Sequence, residues 1–195
     1  MELRFSPGSP FARKVRIVVR ERGLSSLVTE RVENPHQDDT QFLALNPLGK
    51  VPVLSTVDGA IFDSPVICEY LIALEPEASL LGGTPDDRIR ILRLQALADG
   101  VMDAAVASVL DKRRSDTSPS AHWLRRWSAA IHRGVDAFAR TQHREFDLGG
   151  ISMFCALAYL DFRFPDIDWR RHHPSLGNWV DTTAQRASCI ETKPQ

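Results

Sequence analysis

The sequence predicts an α/β domain of order β-α-β-α-β-β-α followed by an all-helical bundle, and three observations carry that prediction. Strand and helix signals alternate over residues 1–75. A hairpin signal, Val57-Asp58-Gly59, separates two short apolar runs. From residue 87 onward the apolar spacing is helical throughout. With 195 residues, 43% hydrophobic and 25% charged, the chain is large enough to bury the cores of two modest domains. A formal net charge of -1 supplies no broad attraction for nucleic acid or an anionic membrane. No apolar run approaches membrane-spanning length, and Met1-Glu2-Leu3-Arg4-Phe5-Ser6 holds no signal core. The expected location is cytoplasmic, with neither nucleic acid nor membrane as partner. Cys68, Cys155 and Cys189 are widely spaced and form no CxxC pair, so reduced thiols are expected, with no disulfide framework and no metal.

Leu3 and Phe5 alternate in a first strand. Ser9-Pro10 then opens a helix whose apolar face is Phe11, Val15, Val18 and Val19 and which Gly23 ends. A second strand is expected from Leu27 to Val32 and a short helix from Gln37 to Leu45, stopped by Asn46-Pro47. Val51 to Thr56 and Ala60 to Phe62 flank the hairpin, and a helix follows from Ser64 to Leu74. One right-handed parallel crossover followed by one antiparallel hairpin is the arrangement of a thioredoxin-like domain. Residues 76–86, punctuated by Pro76, Gly82, Gly83 and Pro85, read as the linker. The all-α domain, 87–195, is then built from a helix reaching about Arg114, one restarting at Ser118-Pro119, one over Ile151–Phe162 and one opened by Pro174.

Three motifs of the first domain point to a small-ligand site. Ser9-Pro10-Phe11 stands at a helix start, and Asn46-Pro47-Leu48-Gly49-Lys50-Val51-Pro52-Val53-Leu54 joins a turn to a strand. Asp63-Ser64 stands at a second helix start. Pro52 cannot donate to a ladder, which places it at the strand's first residue. A cis Val51-Pro52 bond would leave the Val51 backbone facing outward, free to pair with an extended peptide. With Ala156-Leu157-Ala158-Tyr159-Leu160-Asp161-Phe162-Arg163 in the second domain, these motifs make the chain resemble the cytosolic glutathione S-transferases over nearly its whole length, most closely the bacterial serine-type members.

That resemblance implies glutathione as co-substrate, a small apolar electrophile as second substrate, and a homodimer. Ser9, ahead of the favoured first-turn Pro10, is expected at the helix N-cap. There its hydroxyl either caps the helix or, as the family match implies, contacts the glutathione sulfur. Ser6 is a rival one strand residue too early. Val51 is implied to pair through its backbone with the cysteinyl residue of glutathione, Pro52 to turn the chain, and Lys50 to reach the glycyl carboxylate. Asp63 and Ser64 match the pair that holds the γ-glutamyl group, with aspartate where the family usually has glutamate. Asp99 resembles a helical aspartate that in some classes reaches the ligand of the partner subunit, and His36 is a weaker ligand candidate. Phe11, Met102 and Val106 are expected to wall the second-substrate groove. Asp147 stands at the cap of the late core helix, but Gly150 replaces the family's second capping residue. Two other functions stay open on the same fold: a glutathione-dependent disulfide reductase or peroxidase, and a non-catalytic binding protein.

Overall fold

A computed structural model describes residues 1–37, 39–74, 79–114 and 116–195. The first unit, Met1–Gly83 with Arg186–Gln195, is built on a mixed four-stranded sheet of order β2-β1-β3-β4. Its strands are β1 (Glu2–Phe5), β2 (Thr29–Val32), β3 (Val53–Thr56) and β4 (Gly59–Ile61). Helix α1 (Pro10–Glu21) crosses from β1 to the parallel β2, α2 (Thr40–Leu45) precedes β3, and α3 (Ser64–Ala73) follows β4. The expected thioredoxin-like order β-α-β-α-β-β-α is therefore present. Boundaries moved where caps and turns intervened. Asp39 accepts from the N–H groups of Gln41 and Phe42, so α2 starts at Thr40 rather than Gln37. The N–H groups of Leu27 and Val28 turn back to the Leu24 carbonyl, which delays β2 to Thr29.

The core of this unit lies between sheet and helices. Leu3, Val53 and Leu54 of the strands, Val15, Val18 and Val19 of α1, and Ile67, Cys68 and Leu71 of α3 are all fully buried. Burying each such aliphatic side chain contributes about 1.5–3 kcal/mol. The second unit spans Thr84–Gln185. It comprises α4 (Pro85–Lys112), α5 (Ala121–Thr141), α6 (Leu148–Arg163), α7 (Trp169–His172) and α8 (Pro174–Thr183). Thr84 caps α4 by accepting from the Asp87 N–H at 3.1 Å, while Asp86 and Asp87 complement the positive end of the helix. Helix α6 is apolar nearly all round and buried from Leu148 to Leu157, as a central helix must be. It packs on α4, and α5 packs on α4 as well.

Residues 87–195 do not stay together as expected: the last ten residues join the first unit. There α9 (Ala187–Glu191) lies on α1. Arg13 Nη2 donates to the Cys189 carbonyl at 3.1 Å, Glu21 accepts from Ser188 Oγ at 2.6 Å and pairs with Arg186 at 2.6 Å, and Arg20 pairs with Glu191 at 2.8 Å. The first part of the expected linker, residues 76–78 with Pro76, lies outside the described residues, as does residue 75. Among the described residues no helix is long and apolar enough to cross a membrane.

Candidate functional site

Strand register brings the three sequence motifs to one end of the sheet. In the antiparallel β1/β3 pair Arg4 faces Val53, so Val51-Pro52 runs alongside Phe5-Ser6, where the chain leaves for α1. In the β3/β4 pair Leu54 faces Ile61, so Phe62-Asp63 returns to the level of Pro52. Adjacent strands lie about 4.8 Å apart, which sets the Ser9 loop, the Val51 segment and the Asp63-Ser64 helix start side by side. This is the carboxyl end of β1, where open α/β sheets hold their ligands.

Ser9 is the N-cap of α1, in extended backbone, with Oγ accepting from the Ala12 N–H at 3.2 Å. Both readings of this residue are thus compatible with its geometry, because accepting one backbone bond leaves the hydroxyl proton free to donate outward. The positive end of a twelve-residue helix adds to the field there. Ser6 instead supplies its carbonyl to the Ser9 N–H at 3.0 Å, closing the turn.

The Val51-Pro52 bond is cis, as expected. Pro52 is buried, Val51 half-buried and Lys50 exposed. What holds this segment is Asn46, which the sequence placed at a helix stop and at the start of the turn motif but gave no holding role. The residue is 2% exposed; its side-chain Nδ2 donates to the Lys50 carbonyl at 2.8 Å, Oδ1 accepts from the Leu48 N–H at 3.0 Å, and its carbonyl accepts from the Gly49 N–H at 2.9 Å. Gly49 supplies the φ of +61° that the turn needs. An asparagine followed by a Pro-x-Gly turn was the signal available for this role.

Asp63 is the N-cap of α3 by position, yet its side chain makes no capping bond and is exposed. Ser64 is buried at the first helical position, followed by Pro65. The first N–H groups of α3 have no intrahelical acceptor, so an anionic group is favoured at this end, with the Asp63 carboxylate beside it available to a cation.

The remaining candidates lie elsewhere. Asp99 is half-buried on α4 of the second unit, and His36 is exposed in the loop before α2. Of the three expected groove residues, Phe11 and Val106 are half-buried. Met102 is fully buried, with Ala98, Val101 and Ala105 of the same helix, and offers no surface to a ligand: its 3.6-residue periodicity served the core. Among the described residues His143, Glu145 and Asp147 come close enough together to hold a cation. The Arg90 guanidinium, 2.8 Å from His143 Nδ1, opposes one, and Asp147 Oδ1 is already engaged by His143 Nε2 at 3.0 Å and the Gly150 N–H at 2.9 Å.

Comparison with known proteins points to one family. The family model "Glutathione S-transferase, N-terminal domain" matches residues 8–74, which include all three motifs. The GST-like protein YibF of Escherichia coli K12 is 34% identical, with 100% of this chain and 98% of that protein aligned. A glutathione transferase family member from Pseudomonas fluorescens Pf-5, crystallised with bound glutathione, superimposes with a TM-score of 0.91 at 34% identity, covering 100% of this chain and 98% of that one. Its structure with bound S-(propanoic acid)-glutathione gives a TM-score of 0.87 at 34% identity, with both chains fully covered.

Proposed function

The chain belongs to the glutathione S-transferase family, and from that premise we propose that it is a transferase that binds glutathione on its first unit and activates the thiol with Ser9. The observation that carries this reading is the Ser9 hydroxyl at the N-terminus of α1, on the same sheet end as the Val51 backbone and the start of α3. The Val51 backbone pairs with the cysteinyl residue, Ser64 and the free N–H groups of α3 take the γ-glutamyl carboxylate, and Asp63 accepts from its ammonium. Lys50 meets the glycyl carboxylate.

The free thiol has a pKa near about 8.5, so only a few per cent is thiolate at neutral pH. Lowering that value by about two units requires roughly 2.7 kcal/mol in favour of the thiolate. A hydrogen bond to a charged acceptor supplies about 1.5–3 kcal/mol and a helix N-terminus about 0.3–1 kcal/mol, so one hydroxyl at this position suffices. The thiol proton passes to solvent, and the thiolate forms a carbon–sulfur bond to a small apolar electrophile. The leaving group departs with the electron pair of the broken bond. In the homodimer this reading implies, Asp99 reaches the ammonium of the ligand bound by the partner.

Calorimetric titration with glutathione at two pH values spanning neutrality tests this reading. Binding with proton release into buffers of different ionisation enthalpy supports it, provided the Ser9→Ala protein binds without that release. Binding without proton release in either protein favours disulfide chemistry or a holding site, and absence of binding leaves the fold to another partner.

A further inference from the structure

In the helical unit, the C-terminal ends of α4 and α6 collect positive charge that, among the described residues, no carboxylate pairs with. Helix α4 ends in Lys112 with Arg113 as its C-cap, and α6 ends in Arg163. They meet around three aromatic residues. The Lys112 ammonium lies 5.5 Å from the centre of the Phe164 ring, and the Arg163 guanidinium stacks 3.9 Å over the ring of Phe162. Beneath them Tyr159 is buried, with Arg163 and Arg113 both close enough to its hydroxyl to act on it electrostatically.

The two acids nearest these cations in sequence are committed elsewhere. Asp111 accepts from the Ser120 N–H at 2.8 Å and faces Arg114 at 3.7 Å, while Asp161 is held by Arg170 at 2.8 Å and the Trp169 indole at 2.9 Å. Among the described residues Lys112, Arg113 and Arg163 therefore have no acidic partner. Helix C-termini do favour cations, but each end carries only about half a unit of negative charge, so two ends leave about two positive charges uncompensated. Nor does a helix end account for Arg163 Nε, which is buried and makes no hydrogen bond. Burial pushes the Tyr159 hydroxyl up from its ordinary value in spite of the two cations, so it is a neutral donor across the physiological range.

We propose that the ends of α4 and α6 form a binding site for a small aromatic carboxylate. Arg163 and Arg113 hold the carboxylate, the Tyr159 hydroxyl lies at its base, and the ring of the ligand rests on the exposed edge of Phe162. Paired guanidinium groups suit a planar carboxylate better than a point-charge anion, and the flanking rings add apolar contact. The site is independent of glutathione.

Only two tyrosines are present, Tyr70 and Tyr159, so carbon-13 labelling at tyrosine Cζ gives a two-signal spectrum that Tyr159→Phe assigns. Benzoate titrated into the protein, with and without saturating glutathione, moves the Tyr159 signal saturably with a Kd on the order of 1 mM. Benzamide, its neutral counterpart, does not. Arg163→Gln weakens benzoate at least tenfold and Arg113→Gln severalfold. No saturable movement, an equal response to benzamide, or unchanged affinity in both arginine variants would overturn the proposal and leave the cations as helix-end neutralisers. Should Arg163→Gln fail to fold, Arg113→Gln and the benzamide comparison still decide. A calorimetric failure to bind glutathione leaves this result untouched.

Discussion

The side-chain amide of Asn46 donates to the Lys50 carbonyl at 2.8 Å, spanning the turn that delivers Val51 to the sheet end. Asn46→Ala leaves that carbonyl and the Leu48 N–H short of partners in a part-buried loop, at a cost of about 1–3 kcal/mol. The turn then loosens just where the ligand backbone is to pair. Glutathione affinity falls by about tenfold, whereas Lys50→Ala, at an exposed side chain, costs less than about threefold. Denaturant midpoints and calorimetric titration of both variants check this order.

Ser9→Ala carries two separable effects. Loss of the bond to the Ala12 N–H costs about 1 kcal/mol of stability, as for other N-caps. Loss of the hydroxyl returns the thiol of bound glutathione toward about 8.5, which the thiolate absorbance of the complex reads across a pH series. Ser9→Thr retains most of both. Equal thiol titration in the wild-type and Ser9→Ala complexes would leave Ser9 as a cap alone.

Gly150→Asp gives the core helix the second capping carboxylate usual in the family, and it is nonetheless destabilising. A Cβ at residue 150 runs into the Glu145 carbonyl oxygen, a backbone atom that cannot swing aside. Overpacking of this kind costs about 1–3 kcal/mol. The cap rests instead on Asp147 and on His143, whose Nε2 faces Asp147 Oδ1 at 3.0 Å. Thermal unfolding of Gly150→Asp and Gly150→Ala, both expected below wild type, tests this.

Cys189 gives stability an alkaline edge. Burial pushes its thiol from 9.0 up to about 11, so the folded state disfavours the thiolate relative to the unfolded chain. The stability this group contributes is fully present below pH 9 and declines as pH rises from there toward about 11. Denaturant midpoints measured at pH 8, 9.5 and 10.5 fall less steeply in Cys189→Ala than in wild type. The same burial leaves Cys189 unreactive toward thiol reagents at neutral pH until the protein unfolds.

Much of the site was readable because each of its parts is encoded within a few residues. Ser9 before Pro10 announced a capped helix start, and Pro52 before an apolar run announced a strand, although β3 begins at Val53 and Pro52 stands just ahead of it. Met102 was misread for the opposite reason. Periodicity says that a residue lies on the apolar face of α4 without saying whether that face meets another helix or a ligand, and here it is fully buried. Asn46 was seen as a helix stop and the head of a turn, and its holding role was missed because its buried amide bonds exist only once the loop has closed over it.

By itself, the sequence determined the order of strands and helices in the first domain, the caps of α1 and α6, and the three motifs of the candidate glutathione site. These follow from local chemistry: hydroxyls and carboxylates that satisfy free N–H groups, prolines that withhold one, and apolar spacing that selects a period. Tertiary structure alone decided that the last ten residues return to α1, where Glu21 meets Arg186 and Ser188. It also left the Asp63 carboxylate free of its cap and brought Lys112 at the end of α4 onto the Phe164 ring beyond α6. Such partnerships join residues far apart in the chain, and the packing of apolar faces selects them, with no local sequence signal to announce them.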